Sequence, residues 1–194
     1  MPEPKEIEIA RVSLEDLRAD QAGRLAGQLA ALIHGVFRGP PWNEDDEMPR
    51  ILFGLGTEMM RRNALLYVAT AKCSGTIAGY IMGHEVLERS EDPRDRTLGE
   101  IAGTHALDAL FDGGKRVFYV DGLGVAPDFR RRHIAERLSL ALIAELRRQG
   151  FDYRIGRTDV TARPVISLFA KLGFQELPVS DAFHPTRTYW LLRL

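Results

Sequence analysis

Residues 117–138 read VFYVDGLGVAPDFRRRHIAERL. Val117–Val125 is apolar on both faces, the pattern of a central strand covered on both sides. A basic turn follows at residues 127–132, and Ile134, Leu138, Leu142 and Leu146 then recur at helical spacing. A helix is therefore expected from Ile134 to near Gly150. Between strand and helix stand Arg130, Arg131, Arg132, His133, Ile134 and Ala135. Free N–H groups at a helix start, the positive end of its dipole and three arginines together make an anion site suited to phosphate.

Working outward, the spacing predicts a strand, a helix and two strands after residue 150. The strand covers residues 153–160. The helix carries Val165, Leu168, Phe169 and Leu172 on one face and stops at Gly173. The final strands cover residues 174–179 and 188–194. Toward the N-terminus, residues 64–71 and Thr76–Val86 form an antiparallel hairpin around the turn at 72–75. Residues 88–96 read as an exposed loop, and 105–111 as a short helix closed by Gly113-Gly114. Ile7–Val12 is the first strand. Ser13 is an N-cap, with Glu15 and Asp16 in the first turn of a long helix over residues 14–37. Gly39-Pro40-Pro41-Trp42 breaks that helix, and a second helix is expected to start near Glu44 in the run Glu44-Asp45-Asp46-Glu47. The order β-α-α-β-β-(α)-β-α-β-α-β-β is that of an α/β (α+β) domain, here expected as one unit over residues 1–194.

The chain has 194 residues, 45% hydrophobic and 27% charged, with a net charge of -1. That balance argues against a dedicated nucleic-acid binder, which carries a basic excess. A single cysteine, Cys73, excludes an internal disulfide and a multi-cysteine metal site. The charged start MPEPKEIEIA is unlike a signal peptide, and no stretch has the length of a membrane span. A reduced, cytoplasmic setting with no membrane partner is expected. His84-Glu85-x-x-Glu88 lacks the second histidine of a zinc-protease motif, and His34, His84, His105 and His184 show no ligand spacing, so no metal is expected. Gly122-x-Gly124-x-x-Pro127 only echoes a dinucleotide fingerprint, because Pro127 fills the third glycine's place.

Residues 117–138 resemble the acetyl-CoA-binding motif of the GNAT superfamily of N-acetyltransferases. The matching residues are Leu123, Val125, Pro127, Arg130 and Ala135. Residues 165–174, VISLFAKLGF, are similar to the family's second motif through Leu168, Lys171, Gly173 and Phe174. The resemblance covers nearly the whole chain in element order. It implies a GNAT fold: a mixed, mostly antiparallel sheet of about seven strands, splayed between the fourth and fifth and flanked by helices. It also implies acetyl-CoA as cosubstrate, its pantetheine arm along Leu123, Gly124 and Val125, and its pyrophosphate on the amides of residues 130–135. The implied reaction is direct acetyl transfer to the primary amine of a small molecule or peptide. Strand amides near Leu123 would then stabilise the tetrahedral intermediate. Because the family is often dimeric, a second copy of the chain is an expected partner.

Against the family pattern, His133 occupies the first motif glycine, and its Cβ disfavours positive φ. Ala162 replaces a frequent asparagine. Phe169 stands where many members carry the tyrosine that protonates the leaving thiolate, and the resemblance places it among the cofactor-binding residues. Tyr119, Tyr153 and Tyr189 are the alternative donors, and Tyr119 is assigned with Asp121 to the catalytic pair. Asp121 lies two residues before Leu123, where relatives carry an acidic residue facing the acceptor. A carboxylate with the usual pKa of about 3.9 is a poor direct base for an ammonium, so action through water or by orientation is expected. Trp42 and Glu44 fall in the loop that borders the acceptor pocket in the family. Phe169, Ala162 and His133 also support a second reading, an acetyl-CoA-binding regulator with little turnover.

Overall fold

The computed structural model describes residues 6–20 and 23–194. Seven strands form one mixed sheet in the order β1-β2-β3-β4-β5-β7-β6. They are β1 (Ile7–Val12), β2 (Leu65–Ala71), β3 (Thr76–Val86), β4 (Val117–Val125), β5 (Tyr153–Asp159), β6 (Gln175–Ser180) and β7 (Arg187–Arg193). The helices are α1 (Leu14–Ala19), α2 (Arg24–Phe37), α3 (Met48–Met59), α4 (Leu98–Ala102), α5 (Ile134–Arg148) and α6 (Arg163–Lys171). Among the described residues no helix is long and apolar enough to cross a membrane.

The helix expected over residues 14–37 is two helices. Gln21 and Ala22 of that span lie outside the described residues. Gly23 at the α2 N-cap has φ of 62°, a left-handed value that glycine adopts without Cβ strain. Asp20 closes α1, and its carboxylate accepts from the Leu25 amide at 2.5 Å. The second helix starts at Met48 rather than Glu44. Pro49 is tolerated only in a first turn, so a start at Glu44 would place it in the helix interior. The short helix expected at 105–111 is a single 3-10 turn, Asp108–Phe111. The loop of residues 88–96 is followed by α4, whose capping box pairs Thr97 with Glu100.

The chain falls into two compact units. One gathers the described residues of Met1–Met60, Leu65–Met82 and Gly122–Leu142; the other gathers Arg61–Ala64, Gly83–Asp121 and Ile143–Leu194. The core of the first is built on Leu29, Leu55, Leu66, Ile77 and Tyr80. The second has two clusters, one around Leu98, Val117, Tyr119, Ile155 and Tyr189, the other around Phe169, Phe174 and Trp190.

Two features of the second unit position chemistry. The parallel β4–β5 ladder runs only from Val117↔Tyr153 to Val120↔Gly156, although β4 continues to Val125 and β5 to Asp159. In β3, Gly83 lies so close to β4 that a Cβ would meet the Tyr119 carbonyl oxygen at 2.1 Å. No residue but glycine fits there without moving backbone.

Candidate active site

The first unit contains the basic turn. The Ala126 amide donates to Ala78 O at 2.9 Å, fixing the end of β4 on β3. A 3-10 turn, Pro127–Phe129, buries Phe129, and the Arg132 guanidinium lies 5.5 Å from that ring's centroid. Arg130 donates through Nε to Val125 O at 3.3 Å. Arg131 and His133 both have left-handed backbones, with φ of 59° and 58°. The Cβ of His133 therefore does not prevent positive φ; histidine is among the residues that tolerate it best. Left-handed residues alternating with others turn successive N–H groups toward one side, which makes an anion-binding concavity. Ile134, buried, anchors the start of α5, whose first N–H groups have no intrahelical acceptor. Arg130, Arg131, Arg132 and His133 are exposed, Ala135 half-buried. His133 Nδ1 lies 3.1 Å from Glu136 Oε2.

In the same unit, Leu123 and Val125 are half-buried and Gly124 is buried. Trp42 packs on Phe37 with ring centroids 5.6 Å apart, and the Glu44 amide donates to Phe37 O at 2.9 Å. Both residues thus hold the α2–α3 turn. Asp45 reaches back to Arg38 at 3.2 Å, so the acidic run is drawn onto α2.

The second unit contains Asp121 and the tyrosines. His84 Nδ1 lies 2.7 Å from Asp121 Oδ2; with an ionised carboxylate, that nitrogen carries the proton and donates. His84 is fully buried, whereas the Asp121 side chain keeps 14% exposure. Arg96 Nη1 lies 3.9 Å from Asp121 Oδ1. The His84 ring meets Tyr119 edge-on at 6.2 Å. Tyr119 is buried, and burial pushes its hydroxyl up to about 12 even though Arg157 and Arg96 pull the other way. Tyr189 donates to Asp181 Oδ2 at 2.7 Å; burial and that bond push its pKa far above the usual range. Both hydroxyls are harder to ionise than a free phenol. Tyr153 is half-buried at the edge of the same apolar cluster.

Phe169 is buried in α6, stacked on Phe174 at 4.7 Å and tilted toward Trp190 at 5.6 Å. Its ring tip faces Gly156, where a Cβ would lie 3.2 Å from Cζ. Gly156 is the last β5 residue paired with β4. Ala162 is the N-cap of α6 and offers no side-chain cap.

Asp181 is a hub that sequence reading did not find. Its carboxylate accepts from Arg157 Nη1 at 2.5 Å, from Tyr189, and from the Phe183 and His184 amides at 2.9 and 2.7 Å. The role of His84 was missed as well. The available signal was a polar pair, His84-Glu85, inside an otherwise apolar strand, since each such residue needs a partner when buried. Glu85 finds Arg116 at 2.9 Å and Asn63 at 2.5 Å, and His84 finds Asp121.

A seven-stranded mixed sheet with a parallel β4–β5 pair and a basic turn opening the next helix is the architecture of acetyltransferase-like folds. Solved structures agree. The NatC complex bound to Gag peptide and CoA shares 16% identity, with TM-score 0.65 over 97% of this chain and 99% of that one. NAA60 of Arabidopsis thaliana in complex with acetyl-CoA shares 14%, with TM-score 0.62 over 97% and 99%. The ribosomal-protein-S18-alanine N-acetyltransferase of Escherichia coli shares 15%, with TM-score 0.58 over 97% and 94%. No curated protein matches the chain. The sequence profile of the acetyltransferase (GNAT) family matches residues 29–174, and the chain belongs to that family.

Proposed function

We propose that the chain is an acetyl-CoA-dependent N-acetyltransferase, working as one domain over residues 1–194 on the primary amine of a small molecule or peptide. The observation that carries this reading is the turn at residues 130–135, with two left-handed residues and three exposed arginines at the start of α5. That geometry and charge fit a pyrophosphate-bearing cosubstrate. Arg130, Arg131, Arg132 and the amides of His133, Ile134 and Ala135 would hold its phosphates. Leu123, Gly124 and Val125 would hold its arm along β4, which carries Asp121 on the same strand. When bound, acetyl-CoA supplies an acetyl thioester whose C–S bond breaks as the N–C bond to the acceptor forms, the sulfur leaving as thiolate.

Asp121 orients the acceptor ammonium and takes its proton through water. Phe169 offers the thiolate no hydroxyl, and burial raises the pKa of Tyr119. A thiol pKa of about 8.5 makes that thiolate a tolerable leaving group without help. The net charge of -1 favours an amine acceptor over a nucleic acid. A homodimer and a reducing, cytoplasmic setting belong to the same reading. The phenylalanine at position 169 and the burial of Tyr119, which raises its pKa, favour a second reading, an acetyl-CoA-binding regulator with little turnover.

Calorimetry with acetyl-CoA, followed by thiol release over a panel of amines and peptide N-termini, separates the two. Binding with acceptor-dependent thiol release supports the enzyme, and binding without it supports the regulator. Absence of acetyl-CoA binding overturns both.

A further inference from the structure

We propose that His84 is the positioning residue of Asp121: its Nδ1–H fixes Oδ2 so that Oδ1 faces the acceptor amine. This rests on the reading of Asp121 as the group that handles the amine's proton. The terminal torsion of an aspartate is broad and two-fold, so packing alone holds its oxygens poorly. Here a single hydrogen bond of 2.7 Å tells the two oxygens apart. Oδ1 has Arg96 at 3.9 Å, an ion-pair contact too long for a hydrogen bond to orient it. His84 is itself fixed. It is fully buried, it lies against the edge of Tyr119, and its neighbour Gly83 brings β3 into close contact with the Tyr119 backbone. Donor and acceptor therefore sit on adjacent strands of the sheet. A base held in one orientation keeps the reacting atoms in attack geometry, and losing that orientation costs rate rather than cosubstrate affinity.

Four variants test this on the full chain: His84→Asn, His84→Gln, His84→Leu and His84→Leu combined with Asp121→Asn. The amide nitrogen of asparagine falls near the place of Nδ1, whereas that of glutamine lies one bond further out. His84→Leu and His84→Gln should lower kcat by about 10- to 100-fold, with acetyl-CoA affinity changed by less than about threefold. His84→Asn should restore kcat to within about fivefold of wild type. In the Asp121→Asn background, His84→Leu should cause no further fall, because His84 acts through Asp121. Should His84→Leu not fold, the Asn–Gln contrast decides alone, since both side chains are polar and close to histidine in size. Equal rates for the Asn and Gln variants, or a further fall in the Asp121→Asn background, overturn the proposal. Wild-type kcat in Asp121→Asn alone is a different result: it removes the assignment of Asp121 itself.

Discussion

The turn at residues 130–135 and the hub at Asp181 both place charge, by opposite means. The turn is local and exposed. Its donors are mainly backbone N–H groups aimed by two left-handed residues, and its three arginines are exposed. The hub is non-local and buried. Asp181 draws on Arg157 of β5, Tyr189 of β7 and two amides of its own loop. The contrast teaches where tolerance lies. A backbone cradle survives exchange of a side chain, as His133 in the glycine position illustrates. A buried carboxylate loses all of its partners in one substitution.

The largest effect is expected at the hub. Asp181→Ala leaves half-buried Arg157 without its anion and buried Tyr189 without its acceptor, and should cost about 2–4 kcal/mol of stability in urea unfolding. An unchanged midpoint would break the comparison. Burial alone would raise the Asp181 pKa, but hydrogen bonds from Tyr189 and Arg157 and the charge of Arg157 hold it below the usual value. A depressed folded-state pKa contributes stability above the unfolded value of about 3.9, and that stability is lost as pH falls through the folded-state value. The stability gap between wild type and Asp181→Ala, read from urea midpoints at a series of pH values, should therefore be full at neutral pH and narrow below about pH 4.

A smaller effect is expected at Phe169. Phe169→Tyr adds a hydroxyl at the ring tip beside Gly156, where the β4–β5 ladder ends. It should raise the acetylation rate roughly tenfold, below the usual general-acid contribution of about 100-fold or more because a thiolate leaves with little help. No gain would show that thiolate protonation does not limit the rate. The smallest effect is expected at His133. His133→Gly keeps the N–H and removes a left-handed side chain, while the unfolded chain gains freedom. The two terms nearly offset, so stability should change by less than about 1 kcal/mol and acetyl-CoA affinity should hold or tighten slightly. A large loss of affinity would show that the imidazole itself contacts the cosubstrate.

The turn was legible in the sequence because its parts are contiguous: a buried strand, three arginines and the periodic leucines of α5. The strands of the hairpin, β4 and β5 were legible for the same reason. The split at Gly23 was not, because the leucine periodicity from Leu25 to Phe37 could be extended backward through residues that fit a helix. The α4 helix was missed although Thr97 and Glu100 carry a capping-box spacing, because it is only one turn long and follows a proline-containing loop. The His84–Asp121 pair and the Asp181 hub depend on strand register, which no local pattern specifies.

In the proposed enzyme one part of β4 and its turn sets acetyl-CoA affinity while Asp121 sets the rate. The most direct measurement is acetyl-CoA affinity and kcat, side by side, for Asp121→Asn and for Arg130→Ala combined with Arg132→Ala. The arginine double variant should lose about 1–3 kcal/mol of binding, with kcat at saturation little changed. Asp121→Asn should lose roughly 100-fold in kcat with affinity within about threefold of wild type. Unchanged affinity in a folded double variant, or wild-type kcat in Asp121→Asn, would contradict the claim.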